Sequence, residues 1–177
     1  VKDMADSKTS ILITLVHEGG FQKDSDDSGN WTGGEKGVGE LKGTKYGISA
    51  HEFPDLDIEN LTTEQAISIY QEQYWKQHYS EIQSQLVADS LFDLGVLMGV
   101  HEAVELLQIV LSIKADGIFG PDTVSHVNGA DSTSLLVTYK TALVNHAIGV
   151  ADARPEDRKD LPGWIRRINH PNCGFKH

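Results

Sequence analysis

The sequence predicts a mainly α protein, a helical bundle broken once by a small glycine-rich β-hairpin region near residues 24–48. Two observations carry that expectation. Apolar residues recur at helical spacing near the start of the chain and again through most of it after Leu61. Between Asp24 and Gly47 the period disappears, and glycines stand at positions 29, 33, 34, 37, 39, 43 and 47, a density that suits tight turns and short strands.

Taken in order, Thr9-Ser10 can cap a first helix whose Ile11, Leu12, Leu15 and Val16 share a face, and Gly19-Gly20 can end it. Glu18 then stands in the last turn, where the helix dipole opposes a carboxylate, so helix stability does not select it. The insert rises to a hairpin around Thr44-Lys45-Tyr46-Gly47-Ile48. Thr62 and Gln65 form a capping box, after which Ala66, Ile69, Tyr70, Gln73 and Tyr74 line one stripe. Further helical segments fall near 84–98, 101–113, 121–128 and 133–151, with Pro121 suited to a first helical position and Gly129 to a stop. A short helix around Trp164–Ile168 follows Pro162. No repeat of solenoid length divides the chain, and a weak boundary falls near Gly95–Gly99.

A chain of 177 residues can build one domain with a proper core, or two small lobes sharing one. With 39% hydrophobic and 23% charged residues it is an ordinary globular composition, which excludes disordered, collagen-like and disulfide-scaffold classes. The longest apolar stretches, Ile11–Val16 and Leu106–Ile113, fall far short of the ~18 to 20 residues that cross a bilayer, so no membrane insertion is expected. No signal peptide is read at the start, where Met4 reads as the native first residue behind Val1-Lys2-Asp3. Cys173 is the only cysteine, which excludes an internal disulfide and suits synthesis in the cytoplasm. The net charge of −11 argues against a general nucleic-acid binder. Residues 151–177 nonetheless carry +2, against −13 for the rest, and this tail reads either as a solvated face or as a contact for an anionic polymer.

Three His-Glu pairs occur, at 17–18, 51–52 and 101–102, but none continues to a second histidine at helical spacing, so no metal site is expected. A Gly-x-Ser-x-Gly elbow and a phosphate loop are also missing. Carboxylates remain. Glycoside hydrolysis needs one carboxyl group that protonates the leaving oxygen and a second that stabilises charge or directs water. Glu18, closing an apolar helix, suits the first role, and Asp27, in a polar turn beside Ser28, Gly29 and Asn30, suits the second. Asp24, Asp26 and Asp27 equally suit an Asx-rich turn with no catalytic duty.

The run Glu18-Gly19-Gly20-Phe21, then Asp24-Ser25-Asp26-Asp27-Ser28-Gly29-Asn30, then Thr44-Lys45-Tyr46-Gly47-Ile48 resembles glycoside hydrolase family 108, the N-acetylmuramidases of the lysozyme-like superfamily found in phage endolysins and bacterial relatives. The family shows Glu-Gly-Gly-aromatic, an Asp-Pro-x-Asp-Pro-Gly-Gly-like turn and Thr-x-Tyr-Gly-Ile. The Glu, eight residues, Asp, then Thr spacing of phage lysozymes is also present. The resemblance implies a lysozyme-like α+β fold, Glu18 as general acid, Asp27 as second carboxylate and Thr44 as a hydroxyl orienting water or sugar. Here both turn prolines are absent, and Trp31–Gly43 is inserted, adding Glu35 and Glu40 as rival carboxylates. Trp31 and Tyr46 can stack on sugar rings, with packing under the hairpin the other reading of Tyr46. Asp93 opens Asp93-Leu94-Gly95-Val96-Leu97-Met98-Gly99, where the family usually has Asp-x-x-Val-Asn-x-Gly. It reads as a substrate contact or a helix-surface acid.

Further along, Leu106-Leu107-Gln108 followed by Asp116-Gly117-Ile118-Phe119-Gly120-Pro121-Asp122-Thr123 is similar to the signature of small helical peptidoglycan-binding modules, a largely structural motif. The expected organisation is therefore a catalytic region over 1–95 and a peptidoglycan-binding-like region over 96–177. The implied function is an endolysin-like muramidase cleaving the β-1,4 bond between N-acetylmuramic acid and N-acetylglucosamine. It would need no cofactor, take bacterial peptidoglycan as its partner, work as a monomer, be made in the cytoplasm and act in the periplasm or outside. A non-catalytic wall-binding protein and a wall amidase or peptidase are the alternatives.

Overall fold

The structure, a computed structural model, describes residues 4–170; Cys173 and the last residues of the basic tail lie outside the described residues. The order is α1 (Ser7–Glu18), β1 (Thr44–Lys45), β2 (Ile48–Ser49), α2 (Thr63–Gln73), α3 (Gln85–Met98), α4 (Val100–Val110), α5 (Pro121–Gly129), α6 (Ser132–Ala153) and α7 (Leu161–Asn169). Short 3-10 segments lie at Ser28–Asn30, Tyr79–Glu81 and Pro155–Lys159. The fold is mainly helical with one small antiparallel sheet, as the sequence predicts. Packing divides the chain into two compact units, residues 14–72, and residues up to Ile13 together with those from Gln73 onward.

The first helix starts earlier than its sequence suggests. Asp6 Oδ2 accepts from the Thr9 backbone N–H at 2.8 Å and from Thr9 Oγ1 at 2.6 Å, which makes Asp6 the capping group. Ser10, the other expected cap, is fully buried and its hydroxyl donates to Asp89 Oδ1 at 2.6 Å. Ser10, Ile11, Ile13, Thr14 and Leu15 are buried, while of the other residues expected on that face Leu12 is half-buried and Val16 is 65% exposed.

In the unit of residues 14–72, β1 and β2 pair Thr44 with Ser49 and Lys45 with Ile48 around a two-residue turn. Both turn residues have positive φ, 53° at Tyr46 and 72° at Gly47, the type that matches the twist of a tight hairpin. Gln22 bridges Thr44, and Trp31 bridges Leu41, so the inserted residues fold back as a closed loop. The Thr62–Gln65 capping box forms reciprocally, with the Thr62 N–H donating to Gln65 Oε1 at 2.9 Å and the Gln65 N–H to Thr62 Oγ1 at 3.2 Å. In α2 the buried face is Ala66, Ile67 and Tyr70; Gln73 is exposed and Tyr74 follows the helix end.

The second unit is a helical bundle about α6, which packs against α3, α4, α5 and α7. Tyr139 lies fully buried in α6, and its hydroxyl donates to the Ala103 carbonyl at 2.8 Å. Tyr79 meets Phe119 edge-on at 4.9 Å and Trp75 at 5.6 Å. The weak boundary expected near Gly95–Gly99 is a helix junction inside this unit: α3 stops and α4 starts at Gly99, whose φ of 100° turns the chain, and the two helices pack together. Gln108 explains the later motif. Its Oε1 accepts the backbone N–H groups of Asp116 and Gly117, both at 2.9 Å, and its Nε2 donates to Asp116 Oδ1 at 3.0 Å and Thr123 Oγ1 at 3.1 Å. The Gln, Asp-Gly and Thr of that signature are therefore one hydrogen-bonded turn, closed by Pro121 at the start of α5.

Candidate active site

Glu18 is the last residue of α1, and Gly19, with φ of 84°, ends the helix in the left-handed region. The Gly19 carbonyl then accepts the Tyr46 N–H at 3.2 Å, fastening the hairpin turn to the helix end. At Gly47 the backbone comes so close to Glu18 that an added Cβ would stand 2.8 Å from Glu18 Oε2 and 2.7 Å from the Tyr70 hydroxyl. That hydroxyl donates to the Tyr46 carbonyl at 2.7 Å. A tyrosine at positive φ is strained, and here contacts from α1 and α2 hold it in place. The oddly placed acid thus lies against the turn of the hairpin.

Asp27 is attached to the base of the same hairpin. Its Oδ1 accepts the Gly29 N–H at 2.9 Å, capping the 3-10 segment, and its Oδ2 accepts from Gln22 Nε2 at 3.0 Å. Gln22 pairs with Thr44 through its backbone and receives Asn30 Nδ2 on its Oε1 at 2.7 Å. Asn30, completely buried, also donates to the Asp24 carbonyl at 2.8 Å and accepts the Thr44 hydroxyl at 2.7 Å. Because the Thr44 proton is given to Asn30, its oxygen is left with acceptor capacity alone. Asp27 is exposed, so this network fixes its direction without covering it.

The remaining expected residues are placed as follows. Trp31 is half-buried, and its indole N–H donates to the Ser25 carbonyl at 3.0 Å, tying it to the acidic turn. The Tyr46 hydroxyl lies 3.3 Å from Thr63 Oγ1, and Lys45 Nζ stands 5.6 Å over its ring, so one face already carries a cation. Glu35 is exposed at the turn of the inserted loop, and Glu40 lies 3.8 Å from Lys42 Nζ. Asp93 belongs to the other unit. There it is buried on α3, rather than on the helix surface, and receives Arg167 Nε and Nη2, each at 3.0 Å. That bidentate pair gives the carboxylate a structural task.

Sequence reasoning assigned no role to Asn30, Gln22, Gly47 or Tyr70. Gly47 lies inside the Tyr46-Gly47-Ile48 run, and its signal is a glycine beside an aromatic residue at a hairpin turn. Among the described residues no cluster of three or more histidine, cysteine, aspartate or glutamate side chains could hold a metal ion. No described helix is long and apolar enough to cross a membrane.

A mainly helical chain with one small antiparallel hairpin at the end of its acid-bearing first helix has a lysozyme-like α+β fold. The Glycosyl hydrolase 108 family matches residues 11–99, half of the chain, and the chain belongs to that family. A second family, described as a predicted peptidoglycan domain, matches residues 102–169. Among solved structures, that of Brucella abortus SagA is similar over 92% of this chain and 88% of its own, with a TM-score of 0.66 and 20% identity, a likeness of fold. No curated protein matches the chain. The chain is accordingly a peptidoglycan hydrolase of a glycoside hydrolase family, that of the N-acetylmuramidases.

Proposed function

We propose that Glu18 is the general acid of this hydrolase and Asp27 its second carboxylate, in an endolysin-like, monomeric enzyme made in the cytoplasm and acting on the wall in the periplasm or outside. The observation that carries the reading is the close approach of the Gly47 backbone to the Glu18 carboxylate, at a position where any side chain would displace it. Glu18 gives its proton to the departing glycosidic oxygen. Positive charge then develops at the anomeric carbon, and Asp27, held by the Gly29 N–H and the Gln22 amide, stabilises it or directs water to it. Thr44 assists as an acceptor for that water or for a sugar hydroxyl, and Trp31 offers its ring for stacking on the glycan.

The test is the rate of appearance of new reducing ends from purified peptidoglycan. Glu18→Gln is expected to lower it by about 10²- to 10⁴-fold with the thermal unfolding midpoint unchanged. Asp27→Asn is expected to lower it strongly as well, while Glu35→Gln and Glu40→Gln stay near the parent rate. Full activity in Glu18→Gln would remove it as the acid, and a large loss in Glu40→Gln with none in Asp27→Asn would transfer the second role.

A further inference from the structure

Away from the candidate active site, the helical unit encloses a pocket of about 400 Å³ between the end of α3, α4, the second half of α6, the segment Pro155–Lys159 and α7. That volume lies within the range of small-molecule sites, about 300 to 1,000 Å³. Met98 and the half-buried Trp164 give it an apolar wall, and Glu102, His146, Arg154 and Asp157 line the remainder.

The charged groups there are paired loosely. His146 Nδ1 is 3.5 Å from Glu102 Oε1, and Arg154 Nη1 is 4.0 Å from Asp157 Oδ2, both beyond the hydrogen-bond limit of about 3.2 Å for N–H···O. The same unit shows what a structural pair looks like: Arg167 grips the buried Asp93 through two bonds of 3.0 Å. The pocket's side chains are instead partly exposed, Glu102 at 39% and Arg154 at 68%. Loose partners can be exchanged for a ligand's groups at small cost. A ligand of one sign would satisfy one pair and meet repulsion from the other. A neutral sugar could lie on Trp164 and hydrogen-bond to Arg154 and Glu102 but brings no charge to replace that of their partners.

We propose that this pocket binds a short zwitterionic peptide of the kind that branches from the glycan of the wall. Arg154 takes a free carboxylate, Glu102 takes an ammonium group, and Trp164 with Met98 covers the aliphatic segment between them. The assignment rests on the reading of the chain as a peptidoglycan hydrolase, and adds to it a contact with the stem peptide remote in sequence from Glu18.

The experiment titrates the full chain with the tripeptide L-alanyl-γ-D-glutamyl-meso-diaminopimelate by calorimetry, and separately measures hydrolysis of peptide-free glycan strands. Binding is expected, weakened at least about tenfold by Arg154→Gln and by Glu102→Gln, a factor of the size a lost charge-assisted bond gives. Acetylating both free amines of the peptide, on L-alanine and on diaminopimelate, should weaken binding to the parent protein as much as Glu102→Gln does. Both variants should cleave peptide-free strands at the parent rate. No heat of binding with the parent protein at millimolar peptide, or equal affinity in parent and Arg154→Gln, overturns the proposal. If the parent binds the peptide yet cleaves no glycan, the pocket stands and the hydrolase reading falls.

Discussion

Each compact unit is organised by one buried amide, and the two amides are used differently. Gln108 sits on the regular helix α4 and gathers the Asp116-Gly117 turn and Thr123, so that its partners close a loop and nothing more. Asn30 sits in a 3-10 turn and gathers Gln22, Asp24 and Thr44, and through Gln22 it also orients Asp27. The helical unit has a thick apolar core around Tyr79, Phe92, Leu107 and Tyr139, with the amide as a supplement. Residues 14–72 bury few apolar side chains outside Leu15, Ile48, Ala50, Ile58, Leu61 and the buried face of α2, so hydrogen bonds set the geometry. A rigid core needs its amide for stability; a loop-built site needs its amide for direction.

The largest stability effect should come from the helical unit. Arg167→Ala leaves Asp93 buried without its bidentate partner, with side-chain exposures of 14% and 7% in the parent pair. Removing one partner of a buried pair costs about 3 to 5 kcal/mol. Chemical denaturation should show a loss of that size, while the rate of glycan cleavage per folded molecule, assayed well below the new midpoint, stays at the parent value. A drop in that rate would mean that the division between structural and site-directing polar groups is drawn in the wrong place.

Next come the amides themselves. Asn30→Ala takes the acceptor from the Thr44 hydroxyl and one bond each from the Gln22 amide and the Asp24 carbonyl, and Gln108→Ala orphans the backbone N–H groups of Asp116 and Gly117. Each substitution is expected to cost about 1 to 3 kcal/mol or somewhat more, the penalty for unsatisfied buried groups. The activities should separate. Asn30→Ala releases Asp27 and Thr44 and lowers cleavage of peptide-free glycan at least tenfold below what the folded fraction accounts for, whereas Gln108→Ala lowers it only by the unfolded fraction. Equal residual activities would show that Asn30 supports the fold alone.

The same contrast explains what could be read in the sequence. Helical periods and cap chemistry are local, so α2 to α7 and the Thr62–Gln65 box were legible, as was the Gln108 signature, whose partners lie within fifteen residues. The place of Glu18 at the end of α1 was legible, and it singles the residue out as a candidate because it opposes the helix dipole. Asn30 was not, since its burial depends on three segments closing together at Gln22, Asp24 and Thr44. The start of α1 was misplaced for a related reason. Asp6, Thr9 and Ser10 all have cap chemistry, and only the tertiary bond from Ser10 to Asp89, 79 positions away, shows that Ser10 is spoken for. Asp93 drew attention as an acid near a motif, and its Arg167 partner lies 74 positions on, where spacing gives no hint.

The smallest expected effect concerns that distant contact. Burial pushes the Asp89 carboxyl above its usual value, against the opposing pull of hydrogen bonds from Ser10 and Gln85, which both donate to Oδ1. A carboxyl whose folded value is raised binds its proton more tightly in the folded state than in the unfolded chain. Its contribution to stability is therefore fully present below its unfolded value, about 3.9, and is lost as the pH rises through the raised folded value. Asp89→Asn keeps an oxygen for Ser10 and Gln85 but carries no charge at any pH. The unfolding midpoint of the variant minus that of the parent should thus increase between pH 4 and pH 7, read from thermal melts in matched buffers. A difference that is flat over this interval would mean that the two hydrogen bonds fully offset burial.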